Sequence, residues 1–247
     1  MSYFFRGIED GYKLPLFGKV HITLLFVWLI GMILISVFSE KIRLKFKNNL
    51  FLKLLVGILL VDQIVLYAWQ FGSGFFRFDI SLPLYHCRIS VFLMIIGVFF
   101  DKKWAKSVGL YWGILGTVMA MILPDLYKFS YPHYTNFQFF IVHILLGYVS
   151  MYIIAVEMYN FPKKDLKFVL IFTNIFNISV TAFNLIFLKT NPEINYGYLI
   201  APPKMLESVM NLNMWMYILL IFVLYNLIIC LLYFLGRGLY RIASKGE

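Results

Sequence analysis

The chain has 247 residues, of which 62% are hydrophobic and 14% are charged. Soluble domains are about half apolar and about a quarter charged, and the mean hydropathy of +0.81 departs in the same direction. This composition excludes a cytosolic enzyme, a secreted domain and a disordered tail, and it predicts a chain that folds in lipid. The net charge of +10 lies mostly in short loops between apolar runs, which indicates membrane topology and contact with anionic lipid rather than binding of nucleic acid.

Seven segments are long enough to cross a bilayer, which takes about 20 apolar residues. In chain order they are Val20–Ser39, Leu50–Phe71, Leu82–Phe100, Trp104–Leu123, Phe137–Val156, Lys167–Leu188 and Met214–Leu235. The third and fourth segments are joined only by Asp101–Lys103, which predicts a tight helical hairpin or one long bent helix. We therefore predict an all-α polytopic membrane protein in which residues 1–247 form a single domain of seven transmembrane helices.

The lysines and arginines between the segments predict the orientation of the chain. Fourteen of them fall on one side of a seven-span arrangement and seven on the other. Because loops rich in lysine and arginine stay in the cytoplasm, we expect the N-terminus outside and the C-terminus in the cytoplasm.

Ionisable and amide side chains inside the apolar segments are expensive in lipid and mark candidate functional residues. The candidates are Asp62, His86, Cys87, Arg88, His143, Asn174, Asn177, Thr181 and Asn184. Several of them, from four helices, fall in the outer half of the bilayer when a helix rises about 1.5 Å per residue. This common depth predicts one polar pocket open to the outer leaflet. Asn177, Thr181 and Asn184 share one helix face, where hydrogen bonds between helices are the alternative explanation.

Cys87 is the candidate nucleophile. A free cysteine in a membrane helix usually acts as a small apolar residue, but the adjacent Arg88 and a nearby helix N-terminus both favour a thiolate. His86 is its neighbour in sequence, and adjacent helical residues do not face each other. His143 lies at a matching depth on another helix, and a Cys–His pair is the minimum for a thiol activated by a base. Cys230 has no such neighbours.

Two acidic residues, Asp62 and Asp125, are further candidates for the site. Asp62 and Arg88 either form a structural ion pair or leave Arg88 to bind a phosphate or carboxylate head group. Asp125 follows a proline in an outer loop, where it orients a histidine or caps the connection. Two cysteines provide neither a disulfide framework nor a Cys-pair metal site, and we predict no metal and no cofactor.

The segment Leu82-Pro83-Leu84-Tyr85-His86-Cys87 resembles a hallmark of the bacterial YwaF-like integral membrane family, in which a helix begins with Leu-Pro-Leu-His, an apolar residue and Cys. Further similar pieces follow in the family's order: Pro124-Asp125, the run from Gln138 to His143, and Asn184. Two departures touch the expected pocket. Tyr85 stands where the family has histidine, and Ala201–Lys204 replaces a Pro-Trp-rich stretch.

The resemblance implies a protein of the bacterial plasma membrane. It also implies a relationship to animal ether-phospholipid acyltransferases that use a membrane-embedded cysteine and histidine, for which Cys87 and His143 are the matching positions. On this reading the partners are membrane lipids, and any protein partner stays unidentified. The predicted substrate-binding residues are His86, Arg88, Asp62, Asn184, Asn177 and Asp125.

Two other functions remain open from the sequence. The polar residues of a seven-helix bundle could bind or transport a small solute or ion. Transport requires polar groups that continue into the cytoplasmic half, where the sequence offers little beyond Asn174 and Thr173. The third function is that of a structural accessory subunit in a membrane complex.

Overall fold

The computed structural model describes residues 3–204, 206, 210 and 212–244. Over these residues the chain forms eight α-helices and no strand. The helices are α1 (Lys19–Val37), α2 (Ser39–Lys45), α3 (Leu50–Gly72), α4 (His86–Phe99), α5 (Lys103–Ile122), α6 (Tyr134–Met151), α7 (Lys163–Phe187) and α8 (Met214–Ala243). The all-α prediction is confirmed for the described part of the chain.

Within the described residues, six stretches of helix are long and apolar enough to cross a membrane. They are Lys19–Val37, Lys47–Gly72, Lys103–Ile122, Tyr134–Val156, Lys163–Phe187 and Met214–Ala243. The predicted third span corresponds to α4, which has only 14 residues and begins at His86, four residues later than expected. Six of the seven predicted segments therefore coincide with candidate spans, and the third is a shorter apolar helix.

The exposed side of α8 shows what surrounds these helices. Large apolar side chains recur every four residues along it, at Trp215, Leu219, Val223, Leu227, Leu231 and Leu235, and all are exposed. Positions four apart are neighbours on a helix surface, so these side chains form one apolar strip that winds around α8. A continuous apolar face of this length would be insoluble in water, so it is the surface that lipid covers.

The chain divides into two compact units, one made of Met1–Phe76 with Ser90–Tyr159 and the other of Arg77–Ile89 with Asn160–Glu247. In the first unit, α6 packs against α1, α3 and α5. Small residues permit this packing, because a side chain at Gly31 or Gly147 would collide with Tyr148 or Trp28 across the α1–α6 contact. That the whole chain forms a single domain stays a prediction.

The connection between α4 and α5 is the tight hairpin that the sequence predicts. Asp101 takes a positive φ of 49° and turns the chain, which excludes one long bent helix. The two helices approach so closely that a Cβ on Gly97 would collide with the backbone of Lys106. The hydroxyl of Ser90 also donates to the carbonyl oxygen of Gly109, at 2.8 Å.

The second unit contains α7, α8 and the segment that leads into α4. α7 and α8 are joined by a reciprocal pair of amides, in which Nδ2 of Asn174 donates to Oδ1 of Asn226 and Nδ2 of Asn226 donates to Oδ1 of Asn174, at 2.8 and 3.0 Å. Each Nδ2 also donates to the carbonyl oxygen four residues before it. Both side chains are thereby paired inside an otherwise apolar contact.

Candidate functional site

The segment before α4 stays non-helical because its backbone groups are bound elsewhere. Pro83 has no N–H to donate, and the N–H of Leu82 donates to the hydroxyl of Tyr196 at 3.0 Å. Nη1 of Arg88 donates to the carbonyl oxygens of Ile80 and Ser81, at 3.1 and 2.9 Å. These contacts explain why the helix begins at His86 rather than at Leu82, as the apolar pattern predicts.

The later start of α4 places Cys87 in the first turn, where helical N–H groups have no partner within the helix. Burial of the thiol disfavours a thiolate, and this effect is larger than the opposing ones of the Arg88 charge and of the N–H groups in this first turn. Cys87 is half-buried and free of disulfide bonds.

His86 is buried and held through both ring nitrogens. Its Nε2 lies 2.7 Å from Oδ1 of Asn177, and its Nδ1 lies 3.0 Å from the hydroxyl of Tyr225. Because an amide oxygen only accepts, Nε2 carries the proton and Nδ1 accepts from the hydroxyl. The rings of His86 and Tyr225 are also stacked, with centroids 4.4 Å apart. These contacts fix the orientation of His86, which leaves it poorly suited to act as a mobile base.

Of the two polar atoms in the Asn177 amide, one has a hydrogen-bond partner in the described part of the chain and the other has none there. Its side chain is fully buried, its Oδ1 accepts from His86, and its Nδ2 has no hydrogen-bond partner among the described residues. The hydroxyl of Thr181, one turn further along α7, is likewise buried without a partner in that part of the chain. A buried donor left unpaired costs about 1–3 kcal/mol, so these two atoms need an explanation.

Asn184 binds the backbone of a loop. Its Nδ2 donates to the carbonyl oxygen of Tyr196 and its Oδ1 accepts from the N–H of the same residue, both at 3.0 Å. The hydroxyl of Tyr196 in turn donates to the carbonyl oxygen of Phe78, at 2.6 Å. Asn184 therefore positions Tyr196, which holds the segment before α4.

His143 lies on α6 in the other compact unit and is 5% exposed. Its Nδ1 is 2.6 Å from the carbonyl oxygen of Phe139. The carbonyl oxygen of His143 accepts a hydrogen bond from the hydroxyl of Thr117. Since a carbonyl only accepts, Nδ1 carries the ring proton and Nε2 holds the lone pair. This tautomer is the one that a general base requires.

The two acidic candidates belong to the same unit as His143. Oδ2 of Asp62 accepts from Nε2 of Gln138 at 2.8 Å and from Nε2 of Gln63 at 3.0 Å. Asp125 is exposed in the connection between α5 and α6. Both carboxylates are groups that can bind a cation. Within the described ranges, however, no group of three or more His, Cys, Asp or Glu side chains is placed to hold a metal ion.

The predicted residues fall into two sets. The structure brings His86 and Asn177 into contact, and places Cys87, Arg88 and Asn184 in the same unit. Asp62, Asp125 and His143 belong to the other unit, so the pairing of Cys87 with His143, and of Arg88 with Asp62, stays a prediction. Sequence reasoning missed Tyr225 and Tyr196, because nothing distinguishes them from the many aromatic residues around them. It named Gln138 only as part of a family motif and not as a site residue.

Comparison with known proteins gives one match. Residues 16–234 match the model of the TMEM164 family. No curated protein and no solved structure is significantly similar to the chain. The matched range includes every predicted site residue, from Asp62 to Asn184.

Proposed function

The chain belongs to the TMEM164 family of membrane proteins, and on that premise we propose that it is a cysteine-dependent lipid acyltransferase that acts at the outer leaflet. The observation that supports this proposal is the position of Cys87 in the first turn of α4, next in the chain to the cation Arg88. A cysteine at a helix N-terminus beside a cation is the usual setting of a nucleophilic thiol.

The reaction has two acyl transfers. Nε2 of His143 takes the proton of the Cys87 thiol, and the thiolate attacks the ester carbonyl carbon of an acyl lipid. A C–S bond forms, the ester C–O bond breaks, and the leaving alkoxide takes the proton from His143. A hydroxyl group of a second lipid then gives its proton to His143 and attacks the thioester. The C–S bond breaks, the acyl chain moves to the acceptor, and the departing thiolate takes the proton back from His143, which restores the thiol.

The other predicted residues have binding roles in this proposal. Arg88 faces the phosphate or carboxylate of a head group, for which its forked donors are suited. Asp62, Asp125 and Asn177 orient the lipid by contact, whereas His86 and Asn184 act on substrate binding through the residues that they hold. The hydrogen bond from His143 Nδ1 to Phe139 supports the base role, because it keeps the lone pair on Nε2.

The proposed topology follows the charge distribution. We place the N-terminus outside and the C-terminus in the cytoplasm, with α4 as a seventh and shorter crossing, in a bacterial plasma membrane. Single cysteines introduced near each terminus into a Cys87→Ser, Cys230→Ser background would be labelled with an impermeant maleimide in intact cells. Labelling of the N-terminal cysteine alone is expected, and the opposite pattern would reverse the orientation.

The catalytic test uses vesicles of phosphatidylcholine with an alkyne-tagged acyl chain. The wild type and Cys230→Ser should carry a hydroxylamine-sensitive acyl group and transfer it to a lysophospholipid. Cys87→Ser and His143→Ala should each lose transfer while still inserting in the membrane. Full transfer by both variants would show that this mechanism is wrong.

Transport and an accessory role are less well supported. A solute path needs polar groups that are available in the cytoplasmic half of the bundle. Asn174 is instead bonded to Asn226 and to a backbone carbonyl, which argues against a path along this face. No described contact favours the accessory role over the enzyme.

A further inference from the structure

Two buried donors on α7 have no partner in the part of the chain that the structure describes. One of them belongs to Asn177, which contacts the first turn of α4, where the proposed nucleophile lies. Asn177 is bonded to His86, and His86 immediately precedes Cys87 in the first turn of α4. Tyr225 contacts the His86 ring and is close enough to Cys87 for the two groups to interact electrostatically. The Asn177 amide therefore lies next to the first turn of α4, which carries the thiol, and Thr181 lies one turn away on the same face of α7.

These two donors differ from the other amides of this unit. Asn174 and Asn226 satisfy each other, and Asn184 uses both of its amide atoms on Tyr196. The same packing leaves Asn177 Nδ2 and Thr181 Oγ1 with no partner among the described residues, although both atoms are buried. Since buried polar groups are nearly always satisfied, the pair is suited to a ligand oxygen that arrives from outside the chain.

We propose that Asn177 Nδ2 and Thr181 Oγ1 form an oxyanion site for the acyl carbonyl that Cys87 attacks. This inference rests on the proposed acyl transfer and adds the group that binds the reacting oxygen. When the thiolate adds to the carbonyl carbon, the carbonyl oxygen becomes an anion, and two fixed donors in a dry environment stabilise it. The hydrogen bond to His86 holds the Asn177 amide in place, so its donor is oriented before the substrate binds.

The site makes His86 and Tyr225 positioning residues. Tyr225 donates to Nδ1 of His86, which keeps the proton on Nε2 and its bond directed to Asn177 Oδ1. With Oδ1 fixed as the acceptor, the amide group has only its N–H donors to present to a substrate. A change of tautomer at His86 would remove this constraint.

The test compares two reagents that consume the same thiolate. p-Nitrophenyl butyrate acylates a thiol through a tetrahedral oxyanion, whereas methyl methanethiosulfonate forms a disulfide without one. Both reactions are measured at Cys87 in a Cys230→Ser background, in lipid nanodiscs, by mass spectrometry. The ratio of the two rates cancels changes in thiol exposure or thiolate population.

Thr181→Val removes the hydroxyl with little change in shape, and Thr181→Ser retains it as the matched control. Asn177→Asp keeps an oxygen for His86 and removes the amide donor. We expect Thr181→Val and Asn177→Asp to lower the ester-to-disulfide rate ratio about tenfold or more, against losses of 10²–10³ for a strong oxyanion donor. Thr181→Ser should stay within about threefold of the parent, since it keeps its donor.

Two outcomes overturn the inference separately from the proposed function. If the parent is acylated and the variants keep its rate ratio, Cys87 is a nucleophile but these residues do not bind the oxyanion. Equal slowing of both reagents would show a purely structural role for the two side chains. If the parent reacts with the thiosulfonate and not with the ester, both the oxyanion site and the acyl transfer are wrong.

Discussion

Replacing Asn184 by alanine tests whether this buried amide is a structural clamp or a substrate ligand. The side chain makes two hydrogen bonds to the backbone of Tyr196, and both residues are fully buried. The clamp continues through the Tyr196 hydroxyl to Leu82 and Phe78. We therefore expect Asn184→Ala to destabilise the fold and to loosen the segment before α4.

The magnitude follows from the groups left behind. Alanine removes both bonds and leaves the N–H and the carbonyl oxygen of Tyr196 buried without their partner. Each such group costs about 1–3 kcal/mol. We expect a loss of about 2–4 kcal/mol in the free energy of unfolding, because some relaxation of the loop recovers part of the full penalty.

The assay is reversible unfolding by sodium dodecyl sulfate in mixed micelles, followed by circular dichroism. Ser179→Ala is the matched control, because Ser179 is exposed on the same helix and bonds only to its own turn. This control should change stability by less than about 0.5 kcal/mol. Hydrogen exchange of the Leu82 amide gives a local measurement, and its rate should rise in Asn184→Ala.

A different pair of results would refute the reasoning. If Asn184→Ala unfolds at the same detergent fraction as Ser179→Ala and the Leu82 amide stays protected, the amide does not clamp this segment. If the same variant then loses lipid binding, Asn184 has the substrate-binding role that the sequence predicts.

Three further predictions concern other contacts. A double-mutant cycle of Asn174→Ala and Asn226→Ala, measured by the same detergent unfolding, should give a coupling of about 0.6–1.7 kcal/mol; no coupling would mean that the amide pair does not stabilise the α7–α8 contact. Gly197→Ala should destabilise the fold by about 1–2 kcal/mol, since Gly197 has a φ of +66° and a Cβ there would lie 3.3 Å from the His86 ring. Gly57→Ala, with no atom near its Cβ, should be neutral or stabilising, and equal effects would contradict this explanation. Hydrogen bonds from Ser130 hold the pKa of Asp10 below its ordinary value of 3.8, so the carboxylate should protect the Ser130 amide from exchange at neutral pH. That protection should be lost only as the pH falls well below 3.8. Loss of protection already at pH 5 would contradict the lowered pKa of Asp10. Unchanged protection of the Ser130 amide in Asp10→Asn at pH 7 would contradict the role of the carboxylate.

Composition and hydropathy predict most of the helices, because an apolar run of about 20 residues has few other structures available to it in lipid. The ends of the helices are harder to predict from the sequence. The beginning of α4 depends on Tyr196 and Arg88 binding the backbone before it, and no local pattern reveals contacts to a residue more than 100 positions away. α8 continues to Ala243, beyond the predicted Leu235, because its arginines lie on a helix rather than in a loop.

The candidate site is predictable as a set of residue types and not as a set of contacts. Asn177 is conspicuous as an amide in an apolar helix, and His86 as an imidazole beside a cysteine. Their direct bond joins positions 91 residues apart, and only the fold brings them together. Tyr225 is one of 17 tyrosines, so its bond to His86 has no signature in the sequence.

As the seventh crossing proposed above, the short helix α4 would make the protein sensitive to membrane thickness. Its 14 residues rise about 21 Å, whereas the hydrocarbon core is about 30 Å thick. Such hydrophobic mismatch is relieved when the bilayer thins around a short element. The non-helical residues before α4 can enter this zone because Tyr196 and Arg88 satisfy their polar groups. Lipids with longer tails would therefore hold the head groups farther from Cys87, and tail length becomes a variable to which this protein responds.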